Sequence, residues 1–161
     1  MRGPIVTLIA GTLLFLSQPA WSQDALAQLK ALEGEWVADL PGFGAIANSL
    51  HRISNGTAIS ESIGVPDDTE TSIYRMEGEK IMLDHYCALT PGGHIAHMTG
   101  KAQGAHDIDF VLTRTTNLAS LKVPHMKHMH LTFVDTDHFV ERWTKVENGK
   151  KIVFALNFHR K

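Results

Sequence analysis

Short segments of alternating hydropathy run through most of this chain and constrain its fold more than any other feature. They recur at about the 8–12-residue spacing of all-β proteins, and Gly, Pro, Asn and Asp separate them. Alternation places successive side chains on opposite faces of a strand. The pattern predicts antiparallel strands in up-and-down order at residues 36–40, 46–54, 57–65, 70–77, 80–89, 93–102, 107–115, 128–135, 138–147 and 150–159.

The polarity of the two strand faces favours a closed barrel over a sandwich. In segment 80–89, Leu83 and His85 share one face, while Met82 and Tyr86 share the other. A sandwich sheet normally has one cleanly polar face, whereas barrels that hold ligands mix polar side chains into an apolar lumen. We therefore predict an all-β fold, an up-and-down antiparallel barrel of about ten strands.

A short amphipathic helix is predicted before the first strand, over residues 24–33. Asp24 can cap its start and Gly34 can end it. We expect this helix to cover one end of the barrel. Trp36 follows it directly, and Arg160 ends the last strand. If that strand returns beside the first, the Arg160 guanidinium lies across the Trp36 indole and plugs the closed end.

The first 22 residues have the composition of a secretory signal peptide. Arg2 precedes the apolar stretch 5–16, and Ala20 and Ser22 place small residues at the −3 and −1 positions of a cleavage site. The apolar stretch is shorter than the ~20 residues of a membrane-spanning helix. We therefore expect residues 1–22 to be removed and the protein to be periplasmic or secreted, with no membrane span after cleavage.

The remaining residues, 23–161, have the length of one domain with one core. They carry 14 basic and 17 acidic residues without clusters of Lys and Arg. This composition excludes the basic surface of a nucleic-acid-binding protein. Cys87 is the only cysteine, so an internal disulfide is impossible. Stability must come from the core of the domain, which we expect to be a monomer or a homodimer.

Several motifs resemble a known group of proteins. Gly34-Glu35-Trp36 after a short helix, with an arginine on the closing strand, resembles the Gly-x-Trp signature of lipocalins and the wider calycin group. Longer blocks resemble a bacterial family of small exported lipocalin-like domains of unknown function. These blocks are 74–87, 116–118, 128–130 and 134–138, followed by Trp143. The resemblance implies a calycin-type barrel and assigns no activity.

Ten histidines raise the question of a bound metal. Met126, His128 and His130 lie at positions i, i+2 and i+4 of one segment and are predicted to share a strand face. Thioether and imidazole ligands suit copper(I), and imidazole with a carboxylate such as Glu61 suits zinc. Haem would need one axial histidine in an apolar cage. No spacing matches a compact metal motif, so the alternative is that these side chains are core and hydrogen-bonding residues.

The direction of His128 and His130 decides what the lumen can hold. A one-residue register change moves a whole set of side chains across a sheet. If both histidines point inward near Glu61 or another histidine, a polar ligand or a metal is favoured. If they point outward, Met129 and Leu131 line the lumen and an apolar ligand is favoured.

Glu61 is the main candidate for chemistry. It lies between Ile59 and Ile63 on one strand face, and a carboxylate among apolar neighbours must be paired or protonated. With a histidine it could serve an acid–base isomerase or a hydrolase-type enzyme. Cys87 aligned with His85 suggests a thiol nucleophile less strongly, because a lone strand cysteine is more often a small buried hydrophobe.

The prediction that best accounts for these features is an exported barrel that holds a small, mostly apolar or amphipathic molecule in its lumen. One alternative is a periplasmic protein that binds a metal or haem through the His and Met cluster. The other is an acid–base enzyme. The predicted ligand-binding residues are Glu61, Tyr74, His85, Tyr86, His97, His128, His130 and Trp143.

Overall fold

A computed structural model describes residues 21–66 and 68–161, with side chains from Ala25 onward. The predicted signal peptide therefore lies outside the described residues over positions 1–20. In the described part, no helix has the length and apolarity that crossing a membrane requires.

One α-helix precedes the strands. Helix α1, Trp21–Ala31, begins earlier than predicted, and the backbone N–H of Leu32 then bonds the carbonyl of Leu29 in a final turn. Gly34 follows with φ of +137°, a conformation that side chains disfavour, and this residue already begins the first strand. The helix buries Ala25 and Leu29 in the barrel core.

The described residues form ten strands joined into a closed barrel. Every strand pairs antiparallel with its neighbours in sequence, and the last strand pairs with the first through Trp36 with Arg160 and Val37 with His159. This confirms the predicted fold class. The strands are β1 Gly34–Leu40, β2 Gly44–Ile53, β3 Ala58–Val65, β4 Asp68–Glu77, β5 Lys80–Cys87, β6 His94–Ala102, β7 Asp107–Thr116, β8 His125–Phe133, β9 His138–Glu147 and β10 Lys150–Arg160, with a 3₁₀ turn at Ser54–Gly56 between β2 and β3.

Turn chemistry explains how neighbouring strands reverse. Asn148 and Gly149 join β9 to β10, and both have positive φ, as a type I′ hairpin turn requires. Gly64, near the end of β3, approaches the start of β4 so closely that a Cβ would lie 2.2 Å from the carbonyl oxygen of Asp68. Only glycine therefore permits this corner of the barrel.

The helix end of the barrel is closed by aromatic packing. The Trp36 and Phe139 ring centroids lie 4.8 Å apart in an edge-to-face arrangement, and Phe158 stacks on Phe139 at the same separation. The Trp36 indole N–H donates to the carbonyl of Leu32 at 2.8 Å. The Arg160 guanidinium lies 4.1 Å from the Trp36 ring centroid, which confirms the predicted contact.

A bulge in β8 makes one sequence prediction wrong, that Met126, His128 and His130 share a strand face. The register against β9 shifts between Met126 and His128, so Lys127 is an extra residue without a direct partner. Met126 consequently lies inside the barrel, while His128 and His130 lie outside. The three side chains predicted to share a face are therefore separated by the barrel wall.

Candidate functional site

A cavity of about 270 Å³ occupies the end of the barrel opposite Trp36. The middle of the barrel is filled by Leu83, Met98, Phe110 and Met129, so the free space is confined to the open end. Its volume lies just below the range of about 300–1,000 Å³ typical of drug-sized ligands. The apolar side chains in its wall belong to Leu40, Phe43, Ile46, Ile63, Val65, Leu89, Met126, Phe154 and Leu156.

Four side chains with polar groups line the same cavity: Asp68, Glu70, His85 and Trp143. The His85 and Trp143 rings lie 4.6 Å apart between centroids, tilted by 39°. His85 Nδ1 is 3.1 Å from the Ser72 hydroxyl, and Nε2 is 3.2 Å from a Glu70 carboxylate oxygen. The second approach lacks hydrogen-bond alignment, so Nε2 of this buried histidine has no hydrogen-bond partner among the described residues.

Glu70 is held as a carboxylate beside His85. Burial raises its pKa, but the close approach and charge of His85 and the Ala88 N–H at 2.7 Å outweigh that effect, so the pKa of Glu70 is lowered. The neighbouring Cys87 thiol responds in the opposite direction. Burial and the Glu70 charge raise the pKa of Cys87 to about 12. The free thiol is therefore neutral and poorly suited to act as a nucleophile.

Glu61 lies behind the cavity in a fully hydrogen-bonded setting. Asn48 Nδ2 donates to one carboxylate oxygen at 2.7 Å, and the Tyr74 hydroxyl donates to the other at 2.7 Å. Burial and the charge of Glu61 raise the pKa of Tyr74 well above its usual value, so its hydroxyl stays protonated. These contacts supply the partners that a carboxylate needs among apolar neighbours.

Glu141 completes this buried group. Burial, followed by the charge of Glu61, raises the pKa of Glu141 well above its usual value. Burial therefore favours the protonated form of Glu141, and one of its carboxyl oxygens accepts the Trp143 indole N–H at 2.9 Å. The charge of Glu61 adds to burial in disfavouring ionisation of Glu141, as a like charge at close range does.

The structure brings four predicted ligand-binding residues together in the interior. They are Glu61, Tyr74, His85 and Trp143. Ser72, which shares the inner face of β4 with Tyr74, contacts His85 through its hydroxyl. Only His85 and Trp143 line the cavity, and Glu61 and Tyr74 support its floor from behind.

The other four predicted residues are Tyr86, His97, His128 and His130, and they lie on the outer face. Tyr86 is 48% exposed. His97 bonds Asp84 and the Thr116 hydroxyl. His128 and His130 approach one oxygen of Asp109 at 3.1 and 2.7 Å, and these contacts outweigh partial burial and lower the pKa of Asp109. The barrel wall separates these side chains from the cavity.

Sequence reasoning missed several buried or cavity-lining polar residues, among them Asn48, Glu70, Ser72 and Glu141. Glu141 carried a usable signal, because Phe139, Glu141 and Trp143 alternate on β9 in the way that Ile59, Glu61 and Ile63 alternate on β3. The other three are short or ordinary strand residues, and their roles depend on which strands are neighbours.

Comparisons with known proteins support the barrel shape. No family model matches the sequence, and no curated protein matches it either. A solved structure from Nostoc punctiforme, a DUF3598-family protein of unknown function, is similar with a TM-score of 0.52 and 14% identity. The match covers 83% of this chain and 49% of the other, so the chain spans about half that protein's length. The likeness shows the fold alone, and the closed ten-stranded barrel fits a lipocalin-like architecture.

Proposed function

We propose that this protein binds a small, mostly apolar molecule in the cavity at the open end of the barrel. The observation that carries the proposal is the cavity itself, which remains beside a densely filled barrel interior. Interiors are normally close-packed, and an apolar cavity with a few polar groups is the usual form of a ligand site.

The side chains around the cavity indicate the chemistry of the ligand. Leu40, Ile46 and Leu156 offer apolar walls, while Glu70 and His85 lie on one side. A molecule with an apolar body and one hydrogen-bonding group would match both parts. The volume of about 270 Å³ favours a compact molecule over a long acyl chain.

Export is part of the same proposal. The composition of residues 1–22 supports a signal peptide, and a periplasmic or secreted location suits a protein that captures a small molecule outside the cell. Expression with and without residues 1–22, followed by fractionation and mass measurement of the mature chain, tests this. Cleavage after Ser22 is the expected result, and retention of the full-length chain in the cytoplasm contradicts it.

A cavity-filling variant tests ligand binding. Straight-chain alcohols of increasing length, titrated calorimetrically, should bind up to a sharp length limit set by the cavity. Ile63→Phe adds volume inside the cavity, and we expect it to weaken binding at least tenfold. Val111→Phe makes a similar change on the exposed outer surface and should leave binding unchanged. Equal affinities for both variants, or no binding by the wild type, would contradict the proposal.

Acid–base catalysis is the second candidate, and two hydrogen-bonded pairs of side chains favour it. Tyr74 bonds Glu61, and Ser72, on the same face of β4, lies 3.1 Å from Nδ1 of His85 beside the cavity. The proposed relay through these side chains would move a proton between the interior and a bound molecule. Deuterium exchange into small ketones, followed by NMR, should be faster with the wild type than with Ser72→Ala. Equal rates for both proteins would exclude this relay.

A further inference from the structure

The open end of the barrel contains a compact group of metal-ligating side chains. Glu70 on β4 and His85 and Cys87 on β5 each offer a ligand atom, and these atoms all lie within 4.8 Å of one another. Neighbouring strands place the three side chains on the inner face at one level. His85 and Cys87 are almost completely buried, and Glu70 is partly exposed.

Two buried imidazole nitrogens in this region have no hydrogen-bond partner among the described residues. They are Nε2 of His85 and Nε2 of His94. In each ring the other nitrogen, Nδ1, lies 3.1 Å from a hydroxyl group, that of Ser72 for His85 and that of Thr90 for His94. When Nδ1 carries the proton and donates it to the hydroxyl, Nε2 keeps a free lone pair.

This pattern is the one that metal-binding histidines show. Such a histidine usually donates its second ring N–H to a neighbouring acceptor, which fixes the tautomer and aims the other nitrogen at the ion. A buried polar atom without a partner is otherwise costly and uncommon. A bound cation would give Nε2 of His85 the partner that Glu70, at 3.2 Å without suitable alignment, does not provide.

We propose that Glu70, His85 and Cys87 bind a zinc-like divalent cation, which displaces the Cys87 thiol proton to solvent on binding, and that His94 supplies the fourth ligand. Imidazole, thiolate and carboxylate together are typical zinc ligands. Neighbouring ligands of a tetrahedral ion with bonds of about 2.0–2.3 Å lie roughly 3.3–3.8 Å apart, close to the His85–Glu70 separation. His94 lies directly opposite Cys87 in the β5–β6 pairing but outside the group of ligand atoms within 4.8 Å, so its side chain would have to turn toward the ion on binding.

The site differs from the His and Met cluster predicted from the sequence. His128 and His130 lie on the outer face beside Asp109, whereas the proposed ligands lie inside. Glu70 and His85 also border the cavity, so the ion would lie beside the proposed ligand. The metal site does not depend on the binding of an apolar molecule, because it is measured with the ion alone.

Cobalt(II) titration of the chelator-treated full protein tests the proposal. A thiolate-to-cobalt charge-transfer band in the near ultraviolet, with tetrahedral visible bands, is the expected result for the wild type. Zn²⁺ added afterwards should abolish both signals by displacement. Cys87→Ser should lose the charge-transfer band and weaken zinc binding at least 100-fold, measured by competition with a chromogenic chelator.

Three further variants separate the inner site from other histidines. His94→Ala should weaken zinc binding and change the visible cobalt bands. Ser72→Ala, which removes the partner of His85 Nδ1, should weaken it about 10–100-fold. The double variant His128→Ala, His130→Ala should bind as the wild type does.

Three results would overturn the proposal. If the wild type binds cobalt without a thiolate band, Cys87 is not a ligand, and this readout does not depend on any variant folding. If the His128→Ala, His130→Ala variant loses zinc while Cys87→Ser retains it, the ion binds outside the barrel. If His94→Ala binds as the wild type does, the proposed four-ligand set is wrong.

Discussion

The two ends of the barrel each contain a buried tryptophan, but the two indoles have different partners. Trp36 at the closed end donates to a backbone carbonyl and is covered by Arg160 and Phe139. Trp143 at the open end donates to the Glu141 carboxyl group and lies beside the His85 ring. One tryptophan is therefore fixed by groups that do not titrate near neutral pH, and the other belongs to a network of acids and imidazoles.

The difference suggests that the closed end of the barrel mainly stabilises the fold, whereas the open end mainly serves binding and chemistry. The closed end is filled and apolar, so changes there should act mainly on the free energy of unfolding. The open end combines a cavity with ionisable side chains, so changes there should act mainly on binding and on pH dependence. The following predictions test this division, from the largest expected effect to the smallest.

Trp36→Ala should have the largest effect on stability. Removal of a fully buried aromatic side chain leaves a cavity and typically costs about 3–5 kcal/mol. Urea denaturation followed by circular dichroism measures this loss. A cost below about 1 kcal/mol would mean that the closed end is not the main source of stability.

Glu141→Gln should increase stability at neutral pH and reduce its dependence on pH. Burial and the charge of Glu61 raise the pKa of Glu141 in the folded protein, whereas the unfolded chain loses this proton above about pH 4.3. Rising pH therefore favours unfolding of the wild type, and glutamine has no proton to lose. The free energy of unfolding of the variant, relative to wild type, should grow by up to about 1.4 kcal/mol per pH unit.

Glu79→Gln is the matched control for this prediction. Glu79 is exposed in the turn between β4 and β5. Its replacement should therefore leave the pH dependence of the free energy of unfolding unchanged. Urea denaturation from about pH 4.5 to 7.5 covers the relevant interval. If the free energy of unfolding depends on pH in the same way for Glu141→Gln and the wild type, Glu141 is ionised in the folded state.

Arg160→Lys should cost about 1–2 kcal/mol. The guanidinium stacks on Trp36 and also donates to the carbonyls of Glu33 and Thr136 at 3.1 and 2.9 Å. Lysine cannot reproduce this planar set of donors. Arg142→Lys, at an exposed position on β9, should have no measurable effect on thermal unfolding. Equal melting temperatures for both variants would reduce the Arg160 contact to a surface interaction.

Phe43→Ala should have the smallest effect on stability and a clear effect on binding. Phe43 is 73% exposed at the rim of the cavity, and surface changes of this kind usually stay within about 0.5 kcal/mol. The calorimetric alcohol titration should show weaker binding, because one wall of the entrance is removed. A large loss of stability would show that the open end also supports the fold.

The barrel could be predicted from the sequence because the signals for strands and turns are local and recur along the chain. Alternation and turn residues such as Asn148 and Gly149 define each strand independently. Trp36 and Arg160 were placed together by the closure that the resemblance implied. These features do not require knowledge of any particular side-chain contact.

The site was only partly predictable because it depends on bulges and on neighbours distant in sequence. The extra residue Lys127 puts Met126 on the opposite face from His128, and the composition of the segment does not indicate the bulge. Glu70 looks like an ordinary exposed strand residue until the Ala88 N–H and His85 are placed beside it. Glu61 was recognised because its apolar neighbours lie on its own strand.

The pairing of β1 with β10 is the shortest seam of the barrel, with only two residue pairs in register. If it opens, β1 and β10 lose their mutual pairing and expose longer free edges, and free edges recruit strands from other molecules. Arg160 spans this seam, since its side chain covers Trp36 of β1. The cation–π contact at the closed end would therefore protect the protein against aggregation. Loss of Arg160 should be detected first as slow growth of oligomers in concentrated solution.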